Sequence, residues 1–499
     1  MKKVVSLNQR LVQMAQNGVI NHNKPFLPVI PCSKYLCKIF GESMNIPQEL
    51  HNIMTTISAC GGKPFVVGGY VRDQIMGVDS KDIDVEVFGL TAEDLGKCLA
   101  QFGKVDAVGV SFEVIKLTTE NESYDFSLPR VDSKVGDGHK GIKVLVNHTI
   151  GPKEAASRRD FTINAISWSQ DGLYDPFNAV AHINNKTLQA TSEAFSEDPL
   201  RVLRGFQFCG RFGLMPTQET LDMCNDISGE FAHLSKERVW GEWEKWARQS
   251  ISPQNALLFL QKCGWLVHFP EVFNLIGVPQ EFEYHPEGDV FNHTVLVCDE
   301  AARIAERESL CKEDRIILLF AALCHDFGKV TTTEFVDGRI RARGHDKAGV
   351  PLAESFLRSI NAPNWVVDHV CPLVSEHMAH CGLNKASRKI VQRLSYRLGP
   401  SSIRMLSYLI EADMGGRPPK PKGLPKIVEE IVGQSIECGV FNSKPERLVQ
   451  GRDIAHLVEQ GPLMGKLVNK LYEMQLNDKF RTKEHGIRLA HSVIGNIRS

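Results

Sequence analysis

Three features are missing from this sequence, and each absence excludes something. No Cys-x-x-Cys pair occurs among its 13 cysteines, which argues against a thiolate-held zinc or a thioredoxin-type centre and fits reduced thiols. The nearest two, Cys32 and Cys37, carry no such spacing. No apolar run approaches the ~20 residues that cross a bilayer; the longest is Ile316 to Cys324. After Lys2 and Lys3 the stretch VVSLNQRLVQMAQNG is broken by Asn, Gln and Arg where a signal peptide needs an apolar segment. A cytoplasmic protein with no membrane partner is therefore expected. Nor is there an excess of charge: 58 Lys and Arg face 59 Asp and Glu, so any polyanion site must be a local patch.

What is present is a foldable chain. Hydrophobic residues make up 42 % and charged residues 23 % of 499, enough for about three domains at ~150 residues each. Residues 1–45 hold three prolines between Asn23 and Pro31 and read as an extension. From Pro64, FVVGGYVRD predicts a strand, a glycine turn and a helix, and IDVEVFG predicts a second strand. Strands are also expected at Glu113 to Thr118 and Tyr124 to Leu128, and a mobile loop over Arg130 to Gly141. Beyond about Glu193 the spacing of Leu, Phe, Val and Trp predicts helices almost throughout, so the fold class is α+β: a small sheet-containing head and then all-α.

Two constellations carry chemistry. Gly68 and Gly69 let backbone N–H groups approach a phosphate. Asp82 and Asp84, two apart, point to one face of a strand and can share Mg²⁺. Asp125 is the best third carboxylate, with Glu86 and Glu113 in reserve. An isolated D-x-D is an ordinary solvated strand face, and the glycine pair upstream argues against that here. Arg158, Arg159 and Asp160 stand beside a predicted helix start, where guanidinium forks clamp phosphate, with Asn164 in reach of a ribose hydroxyl. Asp198 and Arg201 at i, i+3 place an acceptor beside a donor, a pattern that accepts the edges of C and A and refuses G and U. Glu197 is spaced to orient Arg201.

The second constellation is His293, His325-Asp326 at the end of the apolar run, and Asp413, with His345 and His377 available for a second ion or for substrate phosphate. These ligands accept Mg²⁺, Mn²⁺, Ni²⁺ or Zn²⁺, so the ion stays open.

GGYVRD with KDIDVEVFG resembles the head signature of the bacterial-type (class II) tRNA nucleotidyltransferase and poly(A) polymerase family. RRDFTINAIS is similar to that family's nucleotide-sugar and phosphate motif, EDPLRVLRGFQFCGRFG to its base-reading helix, and SKERVWGE to the motif that follows. The H…HD…GH…EH…D series resembles the HD phosphohydrolases. The resemblance implies a nucleotidyltransferase head at 46–190, a helical neck at 191–280, an HD domain at 281–415 and a helical tRNA-binding tail at 416–499. It implies CCA addition to tRNA from CTP and ATP with Mg²⁺, and a divalent metal in an HD site with 2′,3′-cyclic phosphodiesterase or phosphatase activity. Asp198 and Arg201 become the template pair, with Arg204 and Arg72 at the nucleotide. It also gives the Arg130 to Gly141 loop a part in switching from C to A. Gln207-Phe208 departs from the family's usual Arg-Phe. A poly(A) polymerase shares the head motifs, and an HD phosphodiesterase with a silent head is a rival of another class. From Gly415 to Ser499, 14 Lys and Arg against 9 Asp and Glu supply the expected basic patch.

Overall fold

The computed structural model describes residues 44–80, 82–108, 114–134, 142–146 and 150–498. The Pro-rich extension up to residue 43, Cys32, Cys37 and Glu113 lie outside the described residues.

The head is built around a sheet backed by helices. Helix α1 (Gln48–Ala59) buries Leu50, Ile53, Met54 and Ile57, the three- and four-residue spacing of one helical face. Strand β1 (Lys63–Val67) runs through Gly68 into helix α2 (Gly69–Met76), the strand–turn–helix expected from the sequence. Gly68 has a φ of 70°, and a Cβ there would lie 2.7 Å from an Arg159 nitrogen, so the turn needs glycine. The chain continues through β2 (Asp84–Phe88), α3 (Ala92–Leu99), β3 (Lys104–Val108), β4 (Val114–Thr118) and β5 (Ser123–Ser127). After β6 (Arg130–Lys134) and β7 (Ile142–Val146) come β8 (Ser167–Ser169) and β9 (Gly172–Tyr174). Among the described residues the main sheet has the order β3-β4-β5-β2-β1-β8-β9, antiparallel except for the parallel β2–β5 pair.

Two expectations are corrected here. Residues 130–134 are not loop: β6 pairs antiparallel with β7, Arg130 opposite Val146 and Lys134 opposite Ile142, as a separate ribbon. Pairing with a partner strand supplies backbone hydrogen bonds that a one-segment reading of periodicity cannot see. Asp82 is not on the strand either, since β2 begins at Asp84.

The rest is helical: α4 (Leu200–Phe212), α5 (Lys236–Gln249), α6 (Pro253–Lys262), α7 (Val290–Arg307), α8 (Lys312–Cys324), α9 (His345–Ser359), α10 (Asn364–Glu376) and α11 (Ile403–Gly415). One hydrophobic core runs without a break from Phe161 to Val440. Trp243 of α5 knits it, its ring 4.6 Å from Phe206, 5.0 Å from Phe269 and 5.3 Å from Phe356. The tail helices α12 (Pro462–Leu476) and α13 (Lys483–Arg498) keep a separate small core around Leu467 and Leu471.

A hairpin interrupts the helices: β10 (Thr333–Val336) and β11 (Arg339–Ala342), turned at Asp337 and Gly338, both at positive φ. The Asp-Gly pair between Val336 and Arg339 is its signal in the sequence.

Candidate active sites

The first site lies on the head sheet. Asp84 at the start of β2 is the register partner of Asp125 in the middle of β5. Parallel register places both side chains on one face, and both are exposed. Asp82 stands just ahead of β2, also exposed. Partial burial, then the like charges of Asp125 and Asp82, raise the Asp84 carboxyl above its ordinary value, with Arg159 pulling the other way. Exposed carboxylates crowded on one face suit a hard divalent cation with oxygen ligands.

Glu86, on the same strand face as Asp84, is buried and turned to the two arginines: Arg158 Nη2 lies 3.3 Å and Arg159 Nη2 3.6 Å from its carboxylate. It anchors the guanidiniums beside the acidic pair. Gly68 and Gly69 form the turn under Arg159.

Three of the nucleotide-binding residues expected from sequence are buried. Arg72, Asp160 and Asn164 are each at most 6 % exposed. Arg72 donates to Asp73 at 2.8 Å and to Asn164 Oδ1; Asn164 donates to Asp160 at 2.9 Å; Arg204 of α4 donates to the other Asp160 oxygen at 2.6 Å. The Arg72 guanidinium lies 4.7 Å from the centroid of Phe212 and 5.3 Å from that of Phe208. Burial would raise the Asp160 carboxyl, but Arg204 and Asn164 hold it below its ordinary value. The network ties α2 to α4.

Asp198 and Arg201 are adjacent but do not share a helix face. Asp198 stands before α4, capped by Pro199, and its Oδ1 accepts from the Leu200 N–H at 3.0 Å. Its Oδ2 accepts from Arg238 of α5 at 2.8 Å. Arg201 donates to the carbonyls of Ala194 and, at 2.8 Å, Arg158. Glu197 closes the short turn Glu193–Glu197 just upstream. Arg238, in the motif SKERVWGE, is a partner the sequence reading missed. Gln207 is buried in α4 with its Oε1 unpaired among the described residues.

The second site is deep. Helix α8 is buried from Ile316 to Cys324 and delivers His325 and Asp326 at its end. The turn after them touches α9: a Cβ on Gly328 would sit 2.0 Å from the His345 carbonyl oxygen, so glycine brings His345 against Asp326. His325, His345 and His377 donate Nδ1–H to the carbonyls of Ala322, Ala342 and Val374 at 2.8, 2.6 and 2.7 Å. His293 places its Nδ1 2.7 Å from Glu287 Oε1. In His325, His345 and His377 the bonded Nδ1–H leaves Nε2 a lone pair.

All four Nε2 atoms face Asp326: His325 at 3.2 Å and His293 at 3.7 Å from Oδ2, His345 at 3.3 Å and His377 at 4.0 Å from Oδ1. The His345 and His377 Nε2 atoms are 3.1 Å apart, and Asp413 approaches His293 Nε2 at 3.2 Å. His293 Nε2 and His325 Nε2 are buried without a hydrogen bond among the described residues. Lone pairs converging on carboxylates fit a divalent cation. Two ligand triads, His293-His325-Asp326 and Asp326-His345-His377, share Asp326. Burial and neighbouring imidazoles push His377 down to about 3. Burial alone would raise Asp326, but His325 and Lys329 hold it well below its ordinary value.

Glu287, His285 and Lys329 also belong here and were not anticipated. Lys329 Nζ lies 2.7 Å from Asp326 and donates to Gln280 at 2.8 Å. Its place three residues after Asp326 was the available signal; Glu287 had none, because its loop precedes α7. The site opens into a cleft of about 550 Å³.

A family model described as the poly A polymerase head domain matches residues 64–189, and one described as the HD domain matches 290–424. Among curated relatives, "Multifunctional CCA protein" of Psychromonas ingrahamii is 36 % identical over 336 residues, 66 % of this chain and 78 % of the relative. The protein of the same name from Pasteurella multocida is 35 % identical over 369 residues, 71 % and 84 % of the two chains. Two solved structures share the fold. The Bacillus stearothermophilus CCA-adding enzyme in complex with CTP has a TM-score of 0.59 at 20 % identity, covering 90 % of this chain and 98 % of that one. The Thermotoga maritima CCA-adding enzyme complexed with tRNA has a TM-score of 0.58 at 16 % identity, covering 92 % and 98 %.

Proposed function

This chain belongs to the family of multifunctional CCA proteins, and from that premise we propose how its two sites divide the work. It is a nucleotidyltransferase that adds CCA to the 3′ end of tRNA from CTP and ATP without a nucleic-acid template. The poly(A) polymerase alternative shares the head motifs; against it, the CCA proteins match this chain over 78 % and 84 % of their own length, and this chain carries an HD domain.

Divalent metal use follows from the two domains, and Mg²⁺ is the ion assigned to Asp82, Asp84 and Asp125, the hard oxygen set of the head. When bound, the ions supply Lewis-acid stabilisation of the triphosphate and an activated 3′-hydroxyl. The chain's own groups do the rest. Asp84 and Asp125 hold their carboxylates side by side on the open sheet face. Arg158 and Arg159, anchored by Glu86, hold the triphosphate, and Gly68-Gly69 leaves the backbone open beside them. Asp198 accepts from the exocyclic amine of C or A while Arg201 donates to the adjacent ring atom. The segment Arg130 to Gly141, of which β6 is the described part and 135–141 lie outside the described residues, assists the change from C to A.

The observation that carries this reading is the register of Asp84 with Asp125 beside the Gly68 turn. Its test is incubation with Mg²⁺ and tRNA ending at the discriminator base, offering CTP, ATP or both. Three added nucleotides only with both support it; a long ladder with ATP alone would make the chain a poly(A) polymerase.

The second site is assigned to hydrolysis of phosphoesters, 2′,3′-cyclic phosphodiesters and 2′-phosphates included. His293, His325, Asp326 and Asp413 would hold one divalent cation, and His345 and His377 a second or the substrate phosphate, with Lys329 offering a further positive charge beside Asp326. The head is placed at 46–190, the neck at 191–280, the HD domain at 281–415, and the basic tail, 416–499, against the tRNA. No helix among the described residues is long and apolar enough to cross a membrane, and work on tRNA supports a cytoplasmic location.

A further inference from the structure

Two cysteines of the head, far apart in the chain, meet at the ends of neighbouring helices. Cys60 caps the C-terminal end of α1, and Cys98 is the penultimate residue of α3. Both are free thiols, and their Sγ atoms lie 2.8 Å apart. A disulfide holds its sulfurs at about 2.05 Å, so less than ~1 Å of closure separates this contact from a bond. Helix ends yield to such a movement more readily than helix interiors. The contact is imposed by the fold, because α1 and α3 share one core in which Ile57 and Leu95 are fully buried.

Exposure divides the roles within the pair. Cys60 is exposed, whereas Cys98 is 5 % exposed. Burial, and then the Cys60 sulfur beside it, pushes the Cys98 thiol up to about 12. Cys98 therefore stays protonated and is shielded from a dissolved oxidant, while Cys60 meets one directly. Cys224 and Cys263 also interact, but both are buried in the central core, where an oxidant does not arrive. What sets the head pair apart is one sulfur at the surface with the other directly behind it, the arrangement of an attacked and a resolving thiol.

We propose that Cys60 and Cys98 are a modification site of the head, a reversible disulfide made when a hydroperoxide oxidises Cys60. In the first step the Cys60 thiol takes one oxygen from hydrogen peroxide, giving a sulfenic acid and one water. In the second the Cys98 sulfur attacks the Cys60 sulfur: the S–S bond forms, the S–O bond breaks, and the Cys98 proton leaves with the oxygen as a second water. Two thiols lose two electrons between them, and the peroxide O–O bond gains them. The bond closes a ring between residues 38 positions apart, and that ring contains the Gly68 turn, α2, Asp82 and Asp84. A cross-link over so long a segment removes many conformations from the unfolded chain. It braces the part of the head that carries the acidic pair, whatever chemistry that pair performs.

The full chain tests this directly. The reduced protein is treated with hydrogen peroxide, its remaining thiols are blocked with N-ethylmaleimide, and its tryptic peptides are read by mass spectrometry without reductant. A linked pair of peptides carrying Cys60 and Cys98 is expected, with two fewer blocked thiols than the 13 of the reduced chain. Dithiothreitol should reverse both. The melting temperature of the oxidised protein should exceed that of the reduced protein by a few degrees. Cys60→Ser changes an exposed side chain, so that variant should fold, form no linked pair and show no shift. In Cys98→Ala the oxidised Cys60 has no resolving thiol, and its sulfenic acid should be captured by dimedone. Absence of the linked pair from the peroxide-treated protein would overturn the proposal, as would Cys60 found instead as sulfinic acid or joined to a second chain. A linked pair that left the melting temperature unchanged would overturn the brace.

Discussion

Asp84 and Asp125 are register partners across the parallel strand pair of the head, so their carboxylates emerge side by side from different segments of chain. Asp84→Asn should abolish most nucleotidyl transfer, beyond the ~10- to 100-fold that loss of a mere outer-shell contact costs a metal site, and leave HD hydrolysis intact. The same substitution should stabilise the fold. The Asp84 pKa is raised in the folded state, so the folded protein holds its proton more tightly, and stability falls as pH rises through that raised value. At pH 7 the charge is a cost that Asn removes. The melting temperature of Asp84→Asn should exceed that of the unaltered protein at pH 7, and the gap should close as pH drops below the ordinary value of 3.8. Equal melting temperatures across that range would contradict the crowding of the three carboxylates.

Glu287 sets its carboxylate between His285 and His293. Its Oε1 lies 2.7 Å from His293 Nδ1 and 2.9 Å from His285 Nδ1. Burial would raise its carboxyl, but the bonds to His285 and His293 hold it down to about 2. Glu287→Gln keeps the size and weakens the hold on the imidazole, so metal affinity should fall ~10- to 100-fold. Metal content after dialysis against graded chelator reads this directly. CCA addition should not change, because the head has its own ligands. The depressed pKa also gives a sign for stability: the contribution is present above the ordinary value of 4.5 and is lost as pH falls toward 2.

Asp160 is the hub of the buried network that joins α2 to α4, between Asn164 at 2.9 Å and Arg204 at 2.6 Å. Asp160→Ala would leave the partly exposed Arg204 guanidinium without its carboxylate and Asn164 without its acceptor, which costs about 1–3 kcal/mol. Denaturant melts should show that loss, in a chain whose HD hydrolysis persists. Because Asp160 titrates below its ordinary value of 3.8, the difference between variant and unaltered protein should shrink as pH is taken down through the folded value. A stable Asp160→Ala with weakened CTP binding would restore the direct nucleotide contact that its burial argues against.

Local signals were legible in the sequence and long-range partners were not. The Gly68 turn, the strand from Asp84 and the buried run into His325 and Asp326 follow from residue types within ten positions of one another, where glycine conformations and helix periods act. The pairing of Arg130–Lys134 with Ile142–Val146 depends on a partner strand, and a one-segment reading made it a loop. Glu287 reaches His293 through a loop whose path is set by Asp289, which caps α7 and also accepts from the Gly277 N–H at 2.7 Å. Asp160 of RRDFTIN is expected from sequence at the nucleotide, but residue type does not distinguish an Asp160 that faces substrate from one that faces Arg204. Burial decides that, and burial is a property of the whole fold.

Asp198 and Arg201 make the last test, because each is already engaged. Asp198 is held by Arg238 at 2.8 Å and by the Leu200 N–H at 3.0 Å, and Arg201 is tethered to the Ala194 and Arg158 carbonyls. The tethers fix the pair across the junction of head and neck, so base selection should depend on Arg238 as well as on the pair itself. Arg201→Ala should admit UTP or GTP, with discrimination falling by the ~1–3 kcal/mol that a bidentate base contact supplies. Arg238→Ala should leave Asp198 in place but less constrained, giving a smaller loss of discrimination with CTP turnover largely kept. Competition between labelled CTP and UTP at one tRNA end measures both. Were Arg238→Ala as permissive as Arg201→Ala, the guanidinium at 238 would itself touch the base; were neither to relax selection, the pair would not be the template.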